Sequence, residues 1–138
     1  MSTSIDNKAI VKRFLIALGT SDEPTVRHLL AENVRAICTG TSILSGTRNY
    51  NEICSAVGML QKMTRNGIDF EIISMTAEDD RVSCEAQGNS ILINDMPYNN
   101  QYHFLFQLKN GRIFLLKEYL DTNLTDAVFG PLLLATET

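Results

Sequence analysis

Glu118 lies in the run Arg112-Ile-Phe-Leu-Leu-Lys-Glu-Tyr-Leu-Asp121, where alternation puts it in one row with Phe114, Leu116 and Leu120. A carboxylate in an apolar row has two outcomes. Either a cation such as Lys62 or Arg65 pairs with it, or burial raises its pKa toward neutrality, the range in which a carboxyl group serves as general acid or base. Glu85 is the second acidic candidate, in a polar row with Ser83, Gln87 and Asn89 that opposes Val82, Cys84, Ala86 and Gly88. Such a row is either the solvent face of an antiparallel sheet or a hydrogen-bonding wall inside a cavity. A third run places Tyr102, Phe104, Phe106 and Leu108 on one face; it suits a core, with the Tyr102 hydroxyl able to reach a cavity. The catalytic candidates are therefore Glu118 and Glu85, and the ligand-binding candidates Gln87, Asn89, Tyr102 and Phe104.

Other chemistries find little support. His28 and His103 have no metal-ligand spacing, and Asp79-Asp80 falls in a turn, so no metal site is expected. There is neither a glycine-rich phosphate loop nor a nucleophile elbow, and no cofactor is expected. A formal charge of −4 and a pI near 5.1 argue against a nucleic-acid groove, which needs clustered Lys and Arg. The longest apolar run, Gly130-Pro-Leu-Leu-Leu-Ala135, falls short of the ~20 residues of a membrane span. The first fifteen residues are too charged for the apolar stretch of a signal peptide. Cys38, Cys54 and Cys84 are odd in number and widely spaced, which favours reduced thiols and a cytoplasmic location.

The elements that must position these residues follow from periodicity. The chain has 138 residues, 44% hydrophobic and 20% charged, the size and composition of one globular domain spanning 1–138. Ile5, Ala9, Val11, Lys12, Leu15 and Ile16 predict a helix over Ser4–Leu18, ended by Gly19-Thr-Ser-Asp22. Glu23-Pro24 opens a second, short helix, and 33–39 reads as a short strand. Thr47 or Asn49 caps a third helix reaching about Arg65, with Tyr50, Ile53, Val57 and Leu60 on one face. Four extended runs follow, 68–77, 81–93, 98–108 and 112–121, joined by turn-forming residues. Helices first and an antiparallel meander afterwards is an α+β plan. The sheet has only the leading helices to cover its apolar face, so it should curl around them and leave a pocket. Ile113, Leu115, Tyr119 and Leu105 would line its outer face and predict a homodimer. The segment Thr125–Ala135 would close the mouth of the cone or strap across a partner.

The hairpin Phe106-Gln-Leu-Lys-Asn-Gly-Arg-Ile113, followed by Glu118-Tyr119-x-Asp121 and preceded by Val82-x-x-Glu85-x-Gln87-Gly88, resembles the SnoaL-like family of the NTF2-like (ketosteroid-isomerase-like) superfamily. The resemblance implies an NTF2-like cone, with N-terminal helices packed in a curved antiparallel sheet around a pocket, and pairing of two chains through the outer sheet face. It identifies a fold better than a reaction, because this superfamily hosts isomerases, cyclases, epoxide hydrolases, dehydratases and plain binding domains.

Limonene-epoxide hydrolases have a similar hairpin and use an Asp-Arg-Asp set helped by a Tyr and an Asn. Carried over without gaps, the second Asp falls on Glu118, the Arg on Glu85 and the first Asp on Gln87, with the Tyr and Asn near Thr39 and Thr41. The carboxylate at Glu118 alone survives in type, which argues against epoxide hydrolysis by that route. The catalytic Asp of ketosteroid isomerases lies near 36–44, a stretch without an acid here. The same alignment implies that Glu85, Gln87 and Glu118 all point into the cone, where two carboxylates would raise one pKa. The resulting expectation is a cofactor-independent isomerase, cyclase or hydrolase acting on a small, mostly apolar molecule. Glu118 would be its acid or base, Glu85 the group tuning it, and Gln87 and Tyr102 the holders of a substrate oxygen. A ligand-binding domain without catalysis, and an assembly domain with a filled cone, are the alternatives.

Overall fold

A computed structural model describes residues 4–136, arranged as three helices and six strands closed by a C-terminal helical segment. Helix α1 (Ser4–Gly19) buries Asn7, Val11, Phe14, Leu15 and Ala17. The apolar stripe is therefore rotated from the expected one, since Ile5 and Ile16 are exposed. Phe14 decides the rotation: its ring meets that of Phe106 edge-on at 5.8 Å, and an aromatic pair buries more surface than either isoleucine would. Asp22 caps α2 (Glu23–Leu29) by accepting from the Thr25 amide, with Pro24 in the first turn. Asn49, one of two expected caps, starts α3 (Tyr50–Met63) in a reciprocal arrangement: its side chain accepts from the Glu52 amide and Glu52 accepts from its own.

The strands are β1 (Leu30–Cys38), β2 (Gly46–Arg48), β3 (Asp69–Glu78), β4 (Arg81–Asn89), β5 (Gln101–Lys109) and β6 (Arg112–Leu120), in the order β2-β1-β6-β5-β4-β3. The four long runs read from the sequence are β3 to β6. The sheet is mixed rather than purely antiparallel, because β1 lies parallel to β6. Its inner face carries Val82, Cys84, Ala86, Tyr102, Phe104, Phe106, Leu108 and Leu116, packed against α1, α2 and α3. Two irregularities matter for what points where. Between Gln107 and Leu108 the β5–β6 register slips by one residue, so Ile113 turns into the core instead of lying on the outer face where simple alternation would put it. Between Ile72 and Ser74 the β3–β4 register slips likewise, leaving Ile73 outside and 57% exposed.

At Gly67, which has φ +72, the backbone approaches α1 so closely that a Cβ would stand 1.9 Å from the Gly19 carbonyl oxygen. The Ile68 amide donates to that same oxygen at 3.0 Å. The contact ties the end of α1 to the start of β3. A second cluster of Met63, Leu92, Tyr98, Phe129 and Leu133 seals the other end. Its last two members come from the C-terminal segment, where a short turn (Thr122–Leu124) leads into a π-helical turn (Thr125–Phe129) and then α4 (Gly130–Thr136). That segment covers the cone, as one of its two expected roles required.

Candidate functional site

Between α1, α3 and the inner face of the sheet lies a cavity of about 120 Å³. Its walls are mostly hydrocarbon, from Phe14, Leu18, Ile53, Met59, Leu60, Phe70, Phe104, Leu116 and Phe129, among others. Its polar lining groups are Glu118, Arg48, Cys38, Tyr98 and Tyr102. Tyr102 and Phe104 stack at 5.3 Å with rings 6° from parallel, and Phe70 stands edge-on to both. These three rings form one stiff wall. Gly88 makes room for it, since a Cβ there would come within 2.7 Å of the Tyr102 ring.

Glu118 is held by backbone on both sides. On one side β5 pairs it with Phe104; on the other, β1 pairs it with Cys38, and Thr39 donates its amide (3.0 Å) and hydroxyl (3.2 Å) to the Glu118 carbonyl. Alternation from the buried Leu116 then turns the carboxylate inward to the cavity. Among the described residues no hydrogen bond or ion pair within 4.0 Å reaches that carboxylate. The expected cationic partners are elsewhere: Lys62 is exposed, and Arg65 pairs with Asp95 at 2.7 Å on the surface. Removal from water raises the Glu118 pKa from 4.5 to about 7, while the Arg48 guanidinium pulls it back down.

The neighbouring groups respond to the same environment. Burial pushes the Cys38 thiol up to about 11, helped by Glu118 and opposed by Arg48. The Tyr102 hydroxyl is raised well above 10, first by burial and then by Tyr98 and Glu118. Tyr98 is raised by burial too, although hydrogen bonds from Thr125 and Asn100 work against the shift. A saturated polar cluster lies behind these rings. The Asn100 amide nitrogen donates to the Tyr98 hydroxyl (3.0 Å), the Thr125 hydroxyl (3.0 Å) and the Asp121 carbonyl (3.2 Å), and its oxygen accepts from the Gln101 and Asp121 amides. Tyr98 and Thr125 share a further hydrogen bond of 2.8 Å.

Three of the six candidates read from the sequence come together at this cavity: Glu118, Tyr102 and Phe104. The other three do not. Glu85 is exposed on the outer face of β4, where its carboxylate accepts from Ser74, so the expectation that it points into the cone is corrected. Gln87 lies on the same outer face and spends its amide on the carbonyls of Gly88, Asn99 and Asn100. Asn89 is exposed at the end of that row. The physical reason is the alternation itself: Val82, Cys84, Ala86 and Gly88 are the buried set, and one strand cannot present both sets to one cavity. The gap-free alignment therefore does not give the direction of Glu85 and Gln87 in this strand. Arg48 and Cys38 were missed, because only the parallel β1–β6 pairing and the β1–β2 hairpin bring them to Glu118, and neither leaves a local signal. Tyr98 opens the run 98–108 in phase with Tyr102, but β5 begins only at Gln101, and Tyr98 reaches the cavity from the segment before the strand, a placement that alternation does not signal. Among the described residues no group of three His, Cys, Asp or Glu side chains is placed to hold a metal ion.

Similarity to solved structures is extensive in shape and low in sequence. PrhC from Penicillium brasilianum superposes with a TM-score of 0.85 at 18% identity, covering 98% of this chain and 93% of that one. An LEH-like epoxide hydrolase from M. tuberculosis matches with a TM-score of 0.73 at 19% identity over 98% of each chain. An NTF2-like protein from Burkholderia xenovorans gives 0.74 at 19% identity, covering 91% of this chain and 96% of that one. No protein-family model matches the sequence, and no curated protein matches it. The fold is therefore the α+β NTF2-like cone that the motifs of the C-terminal half implied. Its neighbours include enzymes, and likeness at this level of identity carries the fold alone.

Proposed function

We propose that this protein binds a small, mostly apolar molecule in the cone and transfers a proton on it without a cofactor, as an isomerase, cyclase or hydrolase of the ketosteroid-isomerase-like type. The observation that carries the reading is Glu118, a carboxylate without a partner among the described residues, facing an apolar cavity with a pKa raised to about 7. At neutral pH such a group is divided between its two forms, so it takes a proton in one step and returns it in the next. Tyr98 and Tyr102 keep their protons there and act as hydrogen-bond groups, not bases. At about 120 Å³, against the ~150 Å³ of an apolar cavity that takes benzene, the cavity suits a body no larger than about one ring. The three buried free thiols support a reducing compartment, the cytoplasm.

Carbon-13 NMR of the glutamate carboxyls, with Glu118→Gln to assign the resonance, measures the decisive quantity. A Glu118 midpoint in the ordinary carboxylate range, near 4.3, sinks the reading. Incubation of single-ring ketones and aldehydes in deuterium oxide then tests the chemistry, with deuterium entering beside the carbonyl for wild type and not for Glu118→Gln. One observation favours a binding role without catalysis: Glu85 lies outside, so no second carboxylate assists Glu118. A ligand that stabilises wild type and Glu118→Gln equally, with no exchange, would establish that second reading.

A further inference from the structure

We propose that Arg48 is the seat of an anion, and that the molecule taken up is accordingly a small apolar acid, a body of about one ring bearing one carboxylate. The inference deepens the small-molecule reading above and rests on it. Among the described residues Arg48 is the one cation lining the cavity, whose other polar groups are Glu118, Cys38, Tyr98 and Tyr102 in mostly hydrocarbon walls. It sits half-buried at the end of β2, the edge strand next to β1. It has no hydrogen bond or ion pair to a described residue. Arg27, Arg65 and Arg81 pair with Glu23, Asp95 and Glu78, and Arg35 donates to backbone carbonyls; these arginines, like Arg13 and Arg112, are exposed to water, whereas Arg48 is partly withdrawn from it. The acid nearest to Arg48 along the chain, Glu52, is committed to the α3 cap, where it accepts from the Asn49 amide at 3.0 Å.

A guanidinium partly withdrawn from water, without an acceptor, loses hydration it does not recover from the protein. Its planar fork of donors fits a carboxylate with two parallel hydrogen bonds. Glu118 does not fill that role, as it lies beyond ion-pair distance. The titratable groups facing the cavity are Cys38 from β1, Arg48 from β2, Tyr98 and Tyr102 from β5 and the segment before it, and Glu118 from β6. The lining residues of α1, α3 and β3 contribute none. With Glu118 protonated, the cavity holds one uncompensated positive charge, at Arg48. With Glu118 ionised, a bound carboxylate meets a second negative charge and is held less tightly.

Benzoate and its neutral isostere benzamide are suitable probes, each a single ring. Calorimetric titration at about pH 6, where benzoate is ionised, compares wild type, Arg48→Gln, Arg48→Lys and Glu118→Gln. Wild type should bind benzoate about tenfold or more tightly than benzamide, the scale of a charge-assisted bidentate contact. Arg48→Gln should lose that preference while keeping its benzamide affinity, which also shows that the variant is folded, and Arg48→Lys should keep part of it. Raising the pH to about 8 should weaken benzoate in wild type and leave Glu118→Gln unaffected. Equal affinity for the two probes in wild type, or an undiminished preference in Arg48→Gln, overturns the assignment of Arg48 while leaving the cavity a small-molecule site. Failure of both probes to bind at millimolar concentration overturns the assignment together with the small-molecule reading.

Discussion

Glu118→Gln replaces the cavity carboxylate by a side chain of nearly the same shape that never ionises, so it isolates the free energy of holding a charge in that place. In the folded protein the Glu118 pKa is raised from 4.5 to about 7. A raised carboxyl pKa means that the folded state binds the proton more tightly than the unfolded chain does. Stability is therefore full below the unfolded value, is lost progressively as pH rises toward about 7, and stays low above it. At 1.36 kcal/mol per pKa unit, the displacement corresponds to about 3 kcal/mol. The variant should match wild type near pH 4 and exceed it by about 3 kcal/mol near pH 8. Urea unfolding followed by circular dichroism reads this as a midpoint difference of roughly 1.5 M at pH 8, for a slope of ~2 kcal/mol per molar, with the slope unchanged. Because other groups titrate alike in both proteins, the difference between the two curves reports Glu118. Glu85→Gln, altered on the opposite face of β4, serves as the control and should leave the Glu118 titration in place. A wild-type-minus-variant difference that stays constant from pH 4 to pH 8 would refute the claim that desolvation raises the Glu118 pKa.

Three further outcomes follow from the geometry. Asn100→Ala removes five hydrogen bonds from a wholly buried side chain and takes one partner each from Tyr98 and Thr125, so it should cost about 2–4 kcal/mol in urea unfolding; a loss under ~1 kcal/mol would mean that the cluster does not hold the C-terminal segment in place. Burial that pushes both Cys38 and Cys84 up to about 11 should leave these thiols slow to react with iodoacetamide near pH 8 until urea unfolds the chain, and rapid labelling of the native protein would contradict it. Ile73 and Tyr119 are exposed on the outer sheet face, with Leu105 and Leu115 half-buried beside them, which supports a homodimer; light scattering should give twice the chain mass for wild type and the single mass for Tyr119→Asp, and a monomer at every concentration removes the claim.

Much of the fold is legible in the sequence because it is encoded locally. Turn residues bound the long strands, Asn49 and Glu52 announce α3, and the aromatic row of β5 faces inward as its period requires. Ile113 and Ile73 escape such a reading. Each lies beside a one-residue slip in the ladder, and a slip reverses the face of the residues beyond it without changing the apparent period. The stripe of α1 escapes for another reason: Ile5, Ile16 and Phe14 are all apolar, and only packing against Phe106 decides among them. At the site, Glu118 was legible because an acid in an apolar row is anomalous anywhere. Glu85 was legible as a polar row, but direction is not a property of a row. The buried Cys84, Ala86 and Gly88 settle the direction, and they look unremarkable as letters.

The parallel pairing of β1 with β6 is what turns these parts into a candidate site. It joins residues about eighty positions apart, Cys38 and Glu118, and it carries β2 and Arg48 to the same end of the sheet. Two carboxylates in one cavity would have raised the Glu118 pKa by mutual repulsion. With Glu85 outside, the rise comes from lost hydration, and Arg48 opposes it. The difference has chemical consequences. A pair of acids would share a proton and offer no place for a negative substrate group, whereas one acid and one arginine would divide the cavity, in the proposed roles, into a proton-exchanging end and an anion-holding end. Losing the cation should therefore raise the Glu118 pKa further and shift any activity profile toward alkaline pH, whereas an acid pair would have lost its shift with either carboxylate.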